Sequence, residues 1–457
     1  MTGTSRRTVL RGLAAGVAGP LLLRAAPAVT VVPLAAACAP GRDTVQIVVV
    51  WSGRELEMFR RALNSWEERP PIQLISAGNG IDSLIRSRIE AGNPPHIAVL
   101  PQPGLLTGLV ADYPDDVVAH PHKLARWPGW PWRDLLTVSG TLYGVWLKAT
   151  HKSVFWHRLR RGFDVSYQPG TLHQLRRDLV TAPDAVLGVG AGDGWVLTDW
   201  FENALLGIAP GVYRGLTDNT VSWDSPEVAE ALRWLGEVWS IDDVLSGGPQ
   251  RALLTQYDQA AIQVLGNRPG IGLTFEGDFI APALAPYQKS KLVDLRLGTF
   301  RFPPKEKEEK EDAFPLVVGG DFAVLLKTGD RATDTAARRV VEWLAGPEAA
   351  RLFAAHGFLT IHEEAGNAEY LTSVRDELPA SNLPNLLKDL AGQLRNPGSS
   401  VEFDLSDQLK GRLAGGDGQG IWRLFQDFFF TVTRPDADIN MVVDDAQRAL
   451  AAAAPEA

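Results

Sequence analysis

The run V-Q-I-V-V-V-W at residues 45–51 is almost continuously β-branched, the pattern of a strand buried on both faces. Ser52 stands where it can cap a helix. Leu56, Phe59, Leu63 and Trp66 then recur at helical spacing until Pro70 and Pro71 end the stripe. I-Q-L-I-S at 72–76 reads as a second strand, and Gly78, Asn79 and Gly80 as a turn. Ile81, Leu84, Ile85 and Ile89 stripe a second helix, stopped by G-N-P-P from Gly92. H-I-A-V-L at 96–100 is a third strand. The order β-α-β-α-β predicts parallel strands joined by right-handed crossovers, and so an α/β fold. In open α/β sheets ligands bind beyond the carboxyl ends of the strands. The loops there, at 51–53, 77–80 and 101–104, supply Trp51, Ser52, Asn79 and Gln102 as candidate contacts. Ordinary turn chemistry accounts for Gly53, Gly80 and Pro103, and the G-N-G turn does not complete a dinucleotide fingerprint.

Further along, L-Y-G-V-W-L-K-A-T-H-K-S-V-F-W at 142–156 alternates as a strand does and is placed to carry the chain into a second lobe. Its lysines, Lys148 and Lys152, either reach a ligand or, as the default for the residue type, face solvent. W-P-G-W-P-W at 127–132 is either an aromatic lip or a packed surface loop. G-D-G-W-V-L-T-D-W-F-E-N at 192–203 sets Trp195 and Trp200 beside Thr198, Asp199, Glu202 and Asn203. Flat rings next to short hydrogen-bonding side chains suit a sugar, whose C–H face packs on indole while its hydroxyls meet carboxylate and amide. The alternative is a helix start with Asp193 or Thr198 as cap and both tryptophans in the core. Ser225-Pro226-Glu227 opens a helix whose stripe makes Trp239 a core residue. F-E-G-D-F at 275–279 puts Glu276 and Asp278 between aromatics. K-E-K-E-E-K-E-D at 305–312 is a solvated charge run. V-V-G-G-D-F-A-V-L-L at 317–326 reads as a turn feeding a buried strand, with Asp321 near its start. E-F-D-L-S-D-Q-L at 402–409 adds Asp404 and Asp407, the latter equally explained as a cap or an ion-pair member.

The 457 residues are 45% hydrophobic and 22% charged, which is a globular composition of two or three domains' length. A formal net charge of -9 argues against nucleic acid and anionic membrane surfaces as partners. The N-terminus reads as an address. S-R-R-T-V-L-R, with Arg6 and Arg7, resembles a twin-arginine export signal. The apolar run after it, interrupted by Arg24, ends in L-A-A-A-C at Cys38, which resembles a lipoprotein processing site. Removing 1–37 would take away four arginines and no acid, so that -9 becomes -13. Cys38 is the only cysteine, which excludes an intrachain disulfide and fits a lipid anchor holding the chain at the outer face of the cytoplasmic membrane. Eight scattered histidines show no ligand spacing, so no metal site and no cofactor are expected.

Taken in order, V-V-V-W-S-G, G-N-P-P-H-I-A-V-L-P-Q-P-G, L-Y-G-V-W-L-K-A-T-H-K-S-V-F-W, G-W-V-L-T-D-W-F-E-N, F-E-G-D-F, G-G-D-F-A-V-L and E-F-D-L-S-D-Q-L resemble the bacterial extracellular solute-binding proteins of carbohydrate ABC importers, the α-glucoside type in particular. The resemblance implies a maltose-binding-protein-like fold of two α/β lobes with a ligand cleft between them. Residues 44–149 and 303–346 would form the first lobe, 150–302 and 347–450 the second. Residues 1–37 would be the signal, 38–43 a tether and 451–457 a frayed tail. It implies Trp51, Asn79, Gln102, Trp195, Asp199, Trp200, Glu276, Asp321 and Asp404 as cleft residues, with Trp195 and Trp200 stacking on sugar faces. The implied partners are a carbohydrate and the permease subunits of a transporter, with no catalytic residue. An exported glycoside hydrolase is the rival, drafting Asp199 with Glu202 or Glu276 with Asp278. Peptide binding on the same fold is the other.

Overall fold

The computed structural model describes residues 44–454 except 125, 128–131, 160–163, 165, 183, 267–269, 290–296, 309–313, 378–380, 397–400, 410 and 416–418. Arg6, Arg7, Cys38, the 38–43 tether, part of the tryptophan-rich loop and part of the charge run lie outside the described residues.

The expected β-α-β-α-β unit is present. Strand Val45–Val49 runs parallel to both Ile72–Ser76 and Ile97–Leu100, and helices Gly53–Asn64 and Ile81–Glu90 make the crossovers. The sheet continues through the antiparallel strand Leu316–Leu326 to Val401–Phe403. Gly144–His151 and Val117–Val118 also pair with Leu316–Leu326. All eleven residues of Leu316–Leu326 are buried, as its apolar run requires. A second sheet takes Leu297–Arg301, Val154–Arg158, Ile271–Phe275 and Ala185–Gly188 in that order.

The 142–156 stretch does pass from one sheet to the other. It leaves the first at His151 and enters the second at Val154, so Lys152 and Ser153 lie at the junction. Other crossing segments are tied there. The Lys152 amide donates to the Val317 carbonyl at 2.9 Å, and the Phe302 amide donates to the Ser153 carbonyl at 2.9 Å. The Val317 amide donates to Ser153 Oγ at 2.6 Å.

Two apolar cores form. One gathers Val45, Phe59, Val99, Phe322 and Phe353; the other gathers Phe155, Trp200, Trp239, Phe275 and Phe429. The first also takes Val154, Trp156 and Leu297 from the second sheet. Each fully buried ring of this kind contributes about 1.5–3 kcal/mol relative to exposure. Part of the 347–450 stretch expected in the second lobe packs on elements of the first sheet. Ala349, Phe353, Phe358, Leu387 and Phe403 pack into the first core, because helix Pro347–Ala355 lies on Gly53–Asn64 and strand Val401–Phe403 extends the first sheet. Only from Leu405 onward does the chain join the second core. The two tryptophans described in the 127–132 loop are packed. Trp127 is 3% exposed, and Trp132 meets Trp146 edge-on at 5.2 Å.

Candidate ligand-binding site

A cleft of about 470 Å³ opens at the carboxyl ends of the first-sheet strands. That volume falls in the range of about 300–1,000 Å³ usual for small-molecule sites. Val50, Trp51, Asn79, Pro101, Lys148 and Asp321 line it from the first lobe, and Asp193, Trp195, Tyr257, Asp258, Phe279 and Trp422 from the second. Lys148, Thr150 and Lys152 share one face of the junction strand and complete the lining.

A slip in the strand ladder builds the first-lobe side. Phe322 pairs with Trp146 but Asp321 pairs with Lys148, so one residue is skipped between them. A one-residue slip changes which face a side chain occupies. Here it sets Asp321 opposite Lys148 at the cleft. Gly320 permits the approach, since a Cβ there would stand 2.6 Å from the Lys148 carbonyl oxygen. Lys148 Nζ lies 2.6 Å from Glu55 and 3.0 Å from Asp321. Burial works against its charge, but Asp321 and Glu55 hold its pKa raised. The Trp51 indole N–H donates to Asp321 Oδ2 at 3.1 Å, and its ring is stacked on Phe358 at 5.7 Å.

On the second-lobe side, Trp195, Tyr257 and Phe279 form a wall of three rings with centroids 5.3–5.6 Å apart. Trp195 stands in the first turn of helix Gly194–Ile208. That turn is pressed against Trp422: a Cβ at Gly194 would meet the Trp422 Cβ and carbonyl at 2.7 Å.

Beneath the junction, Lys152 pairs with Asp199 at 3.3 Å, with Asp404 more closely, and with Asp407 at 3.8 Å. Asp404 also accepts the Ser406 hydroxyl at 2.8 Å and the Asp407 amide at 2.9 Å. Glu202 accepts the Leu405 amide at 2.7 Å, the Ser406 amide at 3.0 Å and the Tyr213 hydroxyl at 3.0 Å. One ammonium thus serves several buried carboxyls, and they divide. Burial would raise Asp404, but Lys152 and its other donors bring it below the usual range. Burial pushes Asp199 up to about 8, with Lys152 offsetting only part of the shift. Asp199, Glu202 and Asp404 are close enough to one another to hold a metal ion, yet Lys152 already supplies the positive charge to two of them.

The Asp199 shift has a signed consequence. Its folded pKa lies above the ordinary 3.8, so the folded state keeps a proton that the unfolded chain releases. Stability from this group is therefore lost as pH rises from about 4 to about 8. Asp199→Asn does not titrate and should gain on wild type across that window. Urea midpoints of both proteins at pH 5 and pH 8 measure the difference, and an unchanged gap would remove the assignment.

Of the nine residues expected in the cleft, Trp51, Asn79, Trp195 and Asp321 line it. Asp199 and Asp404 lie one layer beneath, held by Lys152. Gln102 is buried ahead of helix Pro103–Asp112, and it is Pro101 that reaches the cleft. Trp200 must be corrected. It has no exposure and is enclosed by Phe155 at 5.3 Å, Phe275 at 5.2 Å and Trp239 at 6.0 Å. Five positions separate Trp195 from Trp200, which at 3.6 residues per turn points them to different faces. Glu276 is 2% exposed with no hydrogen bond to either carboxylate oxygen. The solvated default for the lysines also fails: Lys148 is 6% exposed. Tyr257, Trp422 and Glu55 carried no motif that could have found them, whereas Phe279 closes the F-E-G-D-F stretch.

Two α/β lobes with a polar-aromatic cleft define the fold of a solute-binding protein. No family profile matches the chain. It is 27% identical over 390 residues to the osmoprotective compounds-binding protein GgtB of Synechocystis, covering 82% of this chain and 86% of that one. It is 27% identical over 409 residues to the alpha-glucosides-binding periplasmic protein AglE of Rhizobium meliloti, covering 84% and 83%. Its fold matches the maltose/maltodextrin-binding domain MalE of Bdellovibrio bacteriovorus with a TM-score of 0.59, 14% identity and coverage of 89% and 98%. The chain is thus similar in sequence to these two binding proteins and in fold to maltose-binding-protein-like proteins, as its motifs led us to expect.

Proposed function

We propose that this chain binds a saccharide, an α-glucoside or oligosaccharide, between its two lobes and delivers it to the permease of an ABC importer. The observation that carries this is the pairing, across one cleft, of the Trp195–Tyr257–Phe279 wall with Asp321, Asn79 and Trp51. Ring faces take the C–H surface of a pyranose, while carboxylate and amide take its hydroxyls. The name of AglE, an alpha-glucosides-binding protein, supports the ligand class.

Neither carboxyl pair drafted for the hydrolase reading lines the cleft. Asp199 and Glu202 are committed to Lys152 and to the 405–406 amides. Asp278 accepts the His151 amide at 2.6 Å. Thermal unfolding of the protein across a panel of α-glucosides and oligosaccharides tests the proposal, because a ligand that binds only the folded state raises the midpoint. At least one saccharide should raise it and be recovered intact by chromatography. A flat panel, or steady release of monosaccharide, would defeat the reading.

The location proposed is the outer face of the cytoplasmic membrane, with Arg6 and Arg7 directing export and Cys38 carrying lipid. Among the described residues no helix is long and apolar enough to cross a membrane. Cys38→Ala should move the protein from the membrane fraction to the soluble one; wild type found only in the cytosol would refute the export signal.

A further inference from the structure

The cleft lining carries Glu55, Asp193, Asp258, Asp321 and Asp407 against Arg54, Lys148 and Lys152, an excess of acid. On the first-lobe side Glu55 and Asp321 share Lys148. On the second-lobe side Asp193 and Asp258 line the cleft with no ion pair to a cation among the described residues. Among the described residues Asp193 accepts the Tyr257 amide at 2.9 Å, and Asp258 the Gln259 amide at 2.7 Å. Glu276, whose oxygens have no hydrogen-bond partner, lies within their field. Burial, Asp199, Asp193 and Asp258 together drive its pKa well above the usual carboxylate range. The same wall presents the faces and edges of Trp195, Tyr257 and Phe279. Lys152 Nζ already stands 5.8 Å from the Trp195 ring centre, so a cation is accepted there.

An uncharged sugar leaves this excess of acid unanswered. A ligand ammonium would be drawn to two unpaired carboxylates and to ring faces at once, in a partly desolvated cleft where such attractions are strongest. We propose that the second-lobe wall is a subsite for a protonated amine, and that the ligand is a saccharide bearing an amino group; this rests on the saccharide reading above.

The test uses matched pairs that differ by one amine: glucose against glucosamine, and trehalose against its 2-amino-2-deoxy analogue. Each is titrated into the full chain by calorimetry at pH 6.5 and low salt. The amine of at least one pair should bind about tenfold tighter or more, equivalent to ~1.4 kcal/mol. That preference should shrink as salt is raised. The double variant Asp193→Asn with Asp258→Asn keeps an acceptor for both amides and should bind the two members of that pair equally. Asp258→Asn alone, at a side chain that accepts the adjacent Gln259 amide, is a second variant that retains packing, and it should lower the preference several-fold. Equal or tighter binding of the neutral members would overturn the amine subsite and leave the saccharide reading intact. An amine preference that survives in both variants would overturn the assignment to these residues. No binding by any member of either pair would overturn the amine subsite. The saccharide reading would fall with it only if the neutral panel were also flat.

Discussion

Lys152→Met should cost the folded state about 3–5 kcal/mol, the loss expected when one member of a buried ion cluster is removed and the others stay charged. Its ammonium is the only cation whose contacts with Asp199, Asp404 and Asp407 are seen among the described residues. Without it, those acids must take up protons or repel one another beneath the cleft. The loss should be smaller in acid, where the acids are neutral, and larger at pH 8. Adding Asp404→Asn should restore part of the stability, because asparagine can still cap the 405–408 turn. Chemical denaturation of the single and double variants at pH 5 and pH 8 measures all of this. A single variant as stable as wild type at pH 8 would mean that the cluster is not held by Lys152.

Trp195→Ala and Asp321→Ala should each weaken saccharide binding by more than ~1 kcal/mol, over about fivefold, because each face of the cleft loses a ligand contact. Micromolar capture needs about 8 kcal/mol in all. Closing the lobes must add contacts that the open state lacks, since a ligand shifts an equilibrium only by its differential affinity. Small-angle scattering should therefore show wild type contracting when it binds. Trp200→Ala provides the contrast: as a core deletion it should cost about 3–5 kcal/mol of stability rather than act on the ligand directly. Full-affinity binding by both cleft variants would take these residues out of the site, and binding without contraction would end the hinge mechanism.

What could be read from the sequence was what depends on local pattern. Strand Val45–Val49, its helices and its parallel neighbours are short-range periodicities with clear stops at Pro70-Pro71 and Gly92, and they formed as written. The loops after those strands therefore set Trp51 and Asn79 in the lining of the cleft. The site residues that escaped are set by long-range pairing. Lys148 looks like a surface lysine until Glu55, 93 positions earlier, and Asp321 close around it. Lys152 likewise finds Asp404 252 positions later. Trp200 was misplaced for a local reason: a tryptophan next to a carboxylate looks the same in a binding wall and in a core. Only the helix phase relative to Phe155 and Phe275 separates the two.

The junction at Lys152 and Ser153 also determines how the chain can come apart. Strand Leu316–Leu326 sits beside Ile97–Leu100 in the first sheet, yet the whole second sheet lies between them in the chain. Helix Gly420–Val432 in turn returns to pack on Gly194–Ile208 after the first sheet has taken Val401–Phe403. Each lobe is therefore unfinished until the other has been threaded through it. No single cut releases either one whole, and disorder begun in one core removes strands from its neighbour. The interleaved topology of the lobes makes them one cooperative unit on unfolding.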